Sequence, residues 1–119
     1  MLHCTVCSGL LQVREMVCPA CEVHVSGEFR FPRLLRLSAK HLALAEALVL
    51  SGGNLKAMAQ SLDISYPTLR KRVDELIAEL HKLRDEDQRR IDEILRDIEA
   101  GKISAEKGTR MIRELNGAA

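Results

Sequence analysis

The sequence predicts a mainly α fold with a small β ribbon at its start. The order is ribbon, then a three-helix unit whose third helix is extended, then a C-terminal helical hairpin. Three observations predict this. Hydrophobic residues make up 46% of the 119 residues while aromatics make up 3% and Trp is absent, so the core must be Leu, Ile, Val and Ala, which suits packed helices. Cys4, Cys7, Cys18 and Cys21 all fall in a short N-terminal stretch that is too small to stabilise itself by burial alone. From Ser38 onward, apolar residues recur at the three- and four-residue spacing of helices. The expected units are residues 1–32, 33–84 and 85–119.

The ribbon is read from its cysteines. Cys4 and Cys7 form one C-x-x-C, Cys18 and Cys21 another, and the intervening chain can make a hairpin that brings the pairs together. Each C-x-x-C turn can present two sulfurs to one ion, and Zn²⁺ prefers this soft tetrahedral set, so one structural Zn²⁺ per chain is expected. Four cysteines close the site and leave no position for catalysis. The alternatives are two disulfides of a secreted protein, for which no secretion signal exists, and a thioredoxin-like pair, for which there is no βαβ setting. His3 and His24 adjoin cysteines and are expected to be bystanders, while Gly9 and Pro19 mark where the knuckles need unusual backbone. Residues 10–14 and 22–25 alternate loosely as strands, and Gly27 breaks the run. Phe29 and Phe31 then share one face, for packing or for stacking on a base.

Pro32 ends the ribbon, and Arg33, Arg36 and Lys40 form a basic bridge, either a phosphate contact or a solvated linker. Ser38 caps a helix through Leu50 that buries Leu42, Ala45, Leu48 and Val49, and Ser51-Gly52-Gly53 stops it. Asn54 caps the next helix, with Leu55, Met58, Ala59 and Leu62 on one face. Asp63-Ile64-Ser65 is a turn in which Asp63 tolerates left-handed backbone, Ile64 plugs the gap between helices, and Ser65 with Pro67 starts the third helix.

Leu69, Val73, Leu76, Leu80 and Leu83 then repeat at four-three spacing, widened by Ile77. Leu76, Ile77, Leu80 and Leu83 extend past a compact corner and are candidates for a homodimer seam, or for packing within the chain. Opposite the apolar stripe, at the helix start, stand Tyr66, Thr68, Arg70 and Lys71, with Arg72 beside them. The N-terminal residues of a helix in the major groove contact bases while Lys and Arg neutralise phosphates, so these residues form a candidate surface for double-stranded DNA. The plainer alternative is a solvated charged face. Asp85-Glu86-Asp87 ends the repeat and caps a new helix with Ile91, Ile94, Leu95 and Ile98 inside, terminated at Gly101. Ile103 and Ser104 begin a last helix that holds Met111, Ile112 and Leu115 inside and ends at Asn116-Gly117.

The segment GNLKAMAQSLDISYPTLRKRV resembles the helix-turn-helix of the factor-for-inversion-stimulation class. Combined with the two C-x-x-C pairs, residues 1 to about 84 resemble the bacterial zinc-ribbon and helix-turn-helix proteins of domain-of-unknown-function family 2089. The resemblance implies that Tyr66, Thr68, Arg70 and Lys71 face DNA and that Asn54 starts the supporting helix near a phosphate. The chain departs from the pattern at Asp63, where Gly is usual, and at Tyr66, which is often basic. Residues from about 88 to 115 are similar to the C-terminal helical hairpin called SHOCT, which implies oligomerisation or protein contact.

Charge limits the function. The net charge is +1, from 18 basic and 17 acidic groups, far from the basic balance expected of a protein that coats nucleic acid nonspecifically. The local excess is +1 over residues 1–53, +2 over 54–84 and −2 over 85–119. DNA affinity must therefore come from local placement and paired copies. The expected function is a zinc-containing DNA-binding transcriptional regulator acting as a dimer. The alternative is an adaptor contacting RNA polymerase or a sigma factor, which near-neutral charge would suit. There is no phosphate-cradling Gly-rich loop, no nucleophile beside a His, no small-molecule substrate signature and no membrane-length apolar run, so neither an enzyme nor a membrane protein is expected, and the location expected is cytoplasmic.

Overall fold

In the computed structural model, which describes residues 3–116, the chain opens with an antiparallel hairpin of β1 (Val13–Val17) and β2 (His24–Phe29). Val17 pairs with His24, Met16 with Val25 and Glu15 with Ser26; the register then slips, and Val13 faces Phe29. Gly27 does not end the strand. It lies inside β2 at this irregularity, where the strand carries an extra residue. No residue from 3 to 32 is fully buried, and an isolated two-stranded hairpin is marginal in water, so the ribbon has no core of its own.

A 3-10 turn, Arg33–Arg36, leads to α1 (Ala39–Leu50), α2 (Leu55–Ser61), α3 (Tyr66–Glu99) and α4 (Ala105–Leu115). Every α-helix has a side-chain N-cap. Ser38 Oγ accepts from His41 N–H (3.3 Å), Asn54 Oδ1 from Ala57 (3.1 Å), Ser65 Oγ from Thr68 (3.3 Å) and Ser104 Oγ from Lys107 (3.1 Å). Three helices end alike, on a left-handed residue: Gly52 (φ 64°), Asp63 (φ 53°) and Gly101 (φ 72°). The next N–H then bonds back across the last turn, Gly53 to Leu48 O (3.0 Å), Ile64 to Ala59 O (3.1 Å) and Lys102 to Asp97 O (2.9 Å). Asp63 thus adopts the backbone that its place in the turn demands.

With α1 and α2 bent 119° apart, the start of α3 closes a small core of Met58, Ala59, Leu69 and Val73. Leu44, Ala47, Leu48, Leu55 and Ile64 pack around it, so Ile64 does plug the corner. Full burial of one such side chain stabilises by about 2 kcal/mol. Val49, expected inside, is 77% exposed: each residue turns a helix by about 100°, which carries Val49 off the Leu44–Leu48 stripe. Leu62, also expected inside, is exposed because it is the C-cap residue from which the chain turns away.

α3 is one unbroken helix of 34 residues, on the order of 50 Å long. The break expected at Asp85-Glu86-Asp87 does not occur, because after Pro67 the segment has no Gly or Pro and its stripe at steps of three or four residues never lapses. That stripe runs Leu69, Val73, Leu76, Leu80, Leu83, Asp87, Ile91, Ile94, Ile98. Asp87 takes an apolar place in it and is 3% exposed. Its Oδ2 accepts a hydrogen bond from Arg33 Nε (2.9 Å) and a second from Arg36 Nη2. Arg33 and Arg36 are therefore neither solvated linker nor open phosphate contacts, and of the bridge cations only Lys40 is exposed.

A second polar tie fastens α1 to α3. Glu79 accepts the Ser38 N–H (3.0 Å) through Oε1 and pairs with His41 Nδ1 through Oε2. At the far end α4 folds back on α3, and Gly108 is buried where any Cβ would strike Ile98 Cδ1 at 2.3 Å. Ile94 is fully buried, whereas Leu95, expected inside, is exposed on the other flank of the helix. α4 caps at Asn116; Gly117, expected to share in ending it, lies outside the described residues. Arg30 of the ribbon reaches Glu114 of α4 (3.8 Å). No helix among the described residues is long and apolar enough to cross a membrane.

Two outcomes are expected. Asp87→Leu should continue the stripe yet destabilise by about 3 kcal/mol in urea unfolding, because it strands two partly buried guanidinium groups. The triple variant Arg33→Met, Arg36→Met, Asp87→Leu should recover most of that loss. For Glu79, burial opposes ionisation, but the bonds from His41 and Ser38 outweigh it and hold the pKa below its ordinary 4.5. A carboxyl with a lowered folded pKa gives its full stabilisation above the unfolded value and loses it as pH falls through the folded one. Wild type should therefore lose more melting temperature than Glu79→Gln as pH is lowered from about 5.5 to about 3. Equal losses would exclude this role for Glu79.

Candidate metal ribbon and nucleic-acid interface

The ribbon contains one knuckle built twice, offset by 14 residues from Cys4 to Cys18. In the first, Cys4 N–H donates to Gly9 O (2.8 Å) and Ser8 N–H to Cys4 O (2.9 Å). In the second, Cys18 N–H donates to Val23 O (2.9 Å) and Glu22 N–H to Cys18 O (2.8 Å). Flanking pairs match too: His3 bridges Leu10 as Val17 pairs with His24. The residue after each second cysteine is left-handed, Ser8 at φ 60° and Glu22 at φ 59°. These, and not Gly9 and Pro19, carry the unusual backbone. Gly9 instead provides clearance, since a Cβ there would sit 3.3 Å from Cys7 Sγ. Apart from the C-x-x-C spacing, no side-chain similarity marks this repeat, because it is made by backbone hydrogen bonds.

No disulfide joins any of the four cysteines in the structure. Backbone N–H groups of Cys7 and Val6, aided by the Cys7 side chain, hold the Cys4 thiol below its ordinary pKa; those of Cys21 and Ala20, with the Cys21 side chain, do the same for Cys18. Val6 N–H lies 3.4 Å from Cys4 Sγ. Favouring thiolate favours the metal-ligating form, so the donor set and both knuckles fit Zn²⁺. Among the described residues no group of three or more Cys, His, Asp or Glu side chains makes a ready-made ion cage; the fit rests on the donor chemistry and the repeated knuckle. His24 pairs with Glu15 across the hairpin.

At the other functional candidate, Asn54 and Ser65 are occupied as helix caps, and Thr68 Oγ1 shares a hydrogen bond with Ser65 Oγ (2.7 Å). Tyr66, Thr68, Arg70, Lys71 and Arg72 are all exposed. Three successive residues fan over about 200° of helix. Lys71 therefore stands opposite the buried Leu69–Val73–Leu76 stripe, with Arg70 and Arg72 on its two flanks. Arg70 reaches Asp74 (3.4 Å), but both side chains are more than half exposed, and such a pair contributes under about 1 kcal/mol, so it can yield to a phosphate. Asp74 and Glu75 follow one turn later and confine the cationic surface to the first two turns of α3. Of the four seam candidates, Leu76 is buried within the chain, Leu80 and Leu83 are half-buried, and Ile77 is exposed.

Asp87 and Glu79 are the residues whose roles the sequence hid, Asp87 inside an acidic run and Glu79 among surface charges. The signal for Asp87 was present, because it falls on the stripe at steps of three or four residues.

Residues 4–35 match the family model described as the DUF2089 zinc ribbon, and residues 37–83 match that of the domain of unknown function (DUF2089)-HTH. Together they span about two thirds of the chain. No curated protein and no solved structure matches the chain. A zinc ribbon implies zinc binding, and its combination with a helix-turn-helix points to nucleic-acid binding and away from an enzyme.

Cys4→Ser and Cys18→Ser should each lower the zinc retained after purification, measured by elemental analysis, and each should disorder the ribbon amides in an NMR spectrum while leaving the α1–α3 core signals in place. Unchanged zinc content in both variants would exclude the knuckles as its site.

Proposed function

The chain belongs to the DUF2089 family, and from that premise we propose that it is a DNA-binding transcriptional regulator acting as a dimer, with one structural Zn²⁺ per chain on Cys4, Cys7, Cys18 and Cys21. One observation carries the reading: the start of α3 is capped, anchored by Leu69 and Val73, and presents Lys71 between Arg70 and Arg72 away from the core. A helix so mounted can lay its first two turns in a major groove, with the flanking Arg side chains on phosphates and Tyr66 and Thr68 near base edges. Asn54, capping α2 close to the corner, suits a backbone contact.

Pairing supplies what a net charge of +1 cannot, since two copies double the local positive surface. The proposed seam is centred on exposed Ile77, with the outer edges of Leu80 and Leu83 beside it and Leu76 as their buried support. The segment from 85 onward is proposed as a separate assembly module, in keeping with its SHOCT-like sequence, although it shares α3 with the helix-turn-helix. Val49 and Leu50, 77% and 80% exposed at the end of α1, favour a second reading, an adaptor for RNA polymerase or a sigma factor.

The test is a selection of bound duplexes from a random pool by zinc-loaded protein, followed by titration against salt. Affinity should fall steeply with salt. Arg70→Ala with Lys71→Ala should weaken binding at least tenfold and flatten the log–log salt slope by about 1 per lost phosphate contact. Ile77→Glu should yield a monomer by light scattering with weaker binding. Failure to select any duplex, together with recovery of polymerase by the same protein, would favour the adaptor.

A further inference from the structure

A cavity of about 390 Å³ lies where the ribbon, the 3-10 turn, α3 and the end of α4 meet. Its lining has two characters. Phe29, Phe31 and Leu115 are among several apolar residues that form one part, which accounts for the pair of Phe side chains without invoking bases. The other part is cationic: five Arg side chains line the cavity against two Glu, and Asp87 behind it offsets one more, for a local excess of +2. This is a steep concentration of charge in a chain whose total is +1.

The guanidinium groups are not saturated. Arg14 stands 3.6 Å from Glu28 and Arg30 stands 3.8 Å from Glu114, both beyond the 2.7–2.9 Å or so of a charge-assisted hydrogen bond. Arg33 gives Asp87 only its Nε, and Arg36 gives it one Nη, while each guanidinium has five N–H donors. Arg36 Nε is buried and makes no hydrogen bond among the described residues.

We infer that this cavity binds a small organic carboxylate with an apolar body, its carboxylate held by the arginines and its body laid against Phe29, Phe31 and Leu115. The volume lies in the range of small-ligand pockets, and a few directed polar groups over an apolar floor are what such pockets share. Arg can meet a carboxylate with two parallel N–H bonds, a geometry that a compact ammonium lacks. Because its walls come from both ends of the chain, an occupant would tie the ribbon to the α3–α4 hairpin. The inference does not depend on DNA binding.

The test is an NMR titration of the full zinc-loaded chain with octanoate and phenylacetate, using octanol as the body without the charge and acetate as the charge without the body. At least one of the two carboxylates should give saturable shifts concentrated at Phe29, Phe31 and Leu115, with octanol and acetate each at least tenfold weaker. Arg90→Ala should weaken binding about tenfold. Arg90 lines the cavity but lies outside the Asp87 cluster, its only ion pair among the described residues being an exposed one with Glu93, so the variant should keep its fold. Absence of saturable shifts with both carboxylates, shifts centred elsewhere, octanol binding as tightly as octanoate, or unchanged affinity in Arg90→Ala would each overturn the inference.

Discussion

The Asp87 carboxylate, buried in the middle of α3 and held by Arg33 and Arg36, determines how the two ends of the chain are joined. Removing a carboxylate from water costs several kcal/mol, and attraction to two guanidinium groups offsets this only where the geometry is right. An apolar residue in its place would accept the tether at several positions along a greasy stripe. A carboxylate accepts it at one. The ion cluster is thus better understood as a locator than as a source of net stability, the same use that a single polar residue finds in coiled coils.

Everything else is arranged along the helix so located. The first turns of α3 close the helix-turn-helix core through Leu69 and Val73, Glu79 fastens the N-terminus of α1, Asp87 receives the ribbon's tether, and Ile98 receives α4 at Gly108. Since α3 is continuous, the cationic surface at its start and the cavity beside its later turns are carried on one helix. Exposure separates the arginines by task. Arg36 is 18% exposed and holds Asp87 through one Nη, whereas Arg70 is 52% exposed and paired so weakly that a phosphate can replace its partner.

Much of this was legible in the sequence, and what was not has physical reasons. The caps at Ser38, Asn54 and Ser65, the left-handed Asp63 and the inward places of Met58, Ala59, Leu69 and Val73 all follow from local chemistry that short stretches carry in full. The continuity of α3 was obscured because three adjacent acidic residues suit a helix N-terminus as well as a solvated face, and only the spacing from Leu83 to Ile94 shows that Asp87 points inward. Val49 and Leu95 were misplaced because an apolar side chain signals burial only when a neighbouring element arrives to cover it. The doubled knuckle escaped because backbone bonds alone define it, with Ser8 matching Glu22 and Gly9 matching Val23.

The ribbon and the helices are held by different forces, and this gives the chain an order of dependence. Residues 33–116 hold every fully buried side chain among the described residues, and residues 3–32 hold none. Binding of a structural zinc ion is worth on the order of 10 kcal/mol, far more than a two-stranded hairpin can gain by burial. With such an ion bound, the fold of the ribbon would be the metal's to determine, while its position is set by Arg33 and Arg36. The cavity between ribbon and hairpin needs both, because its cationic part is rooted in the Asp87 cluster and its apolar part in β2 and the residues after it. A chain with thiols oxidised or metal removed would keep the helix-turn-helix and its exposed Lys71 but lose one wall of the cavity. Metal state thus bears directly on the ribbon and the cavity, and reaches the cationic start of α3 only through the helix they share.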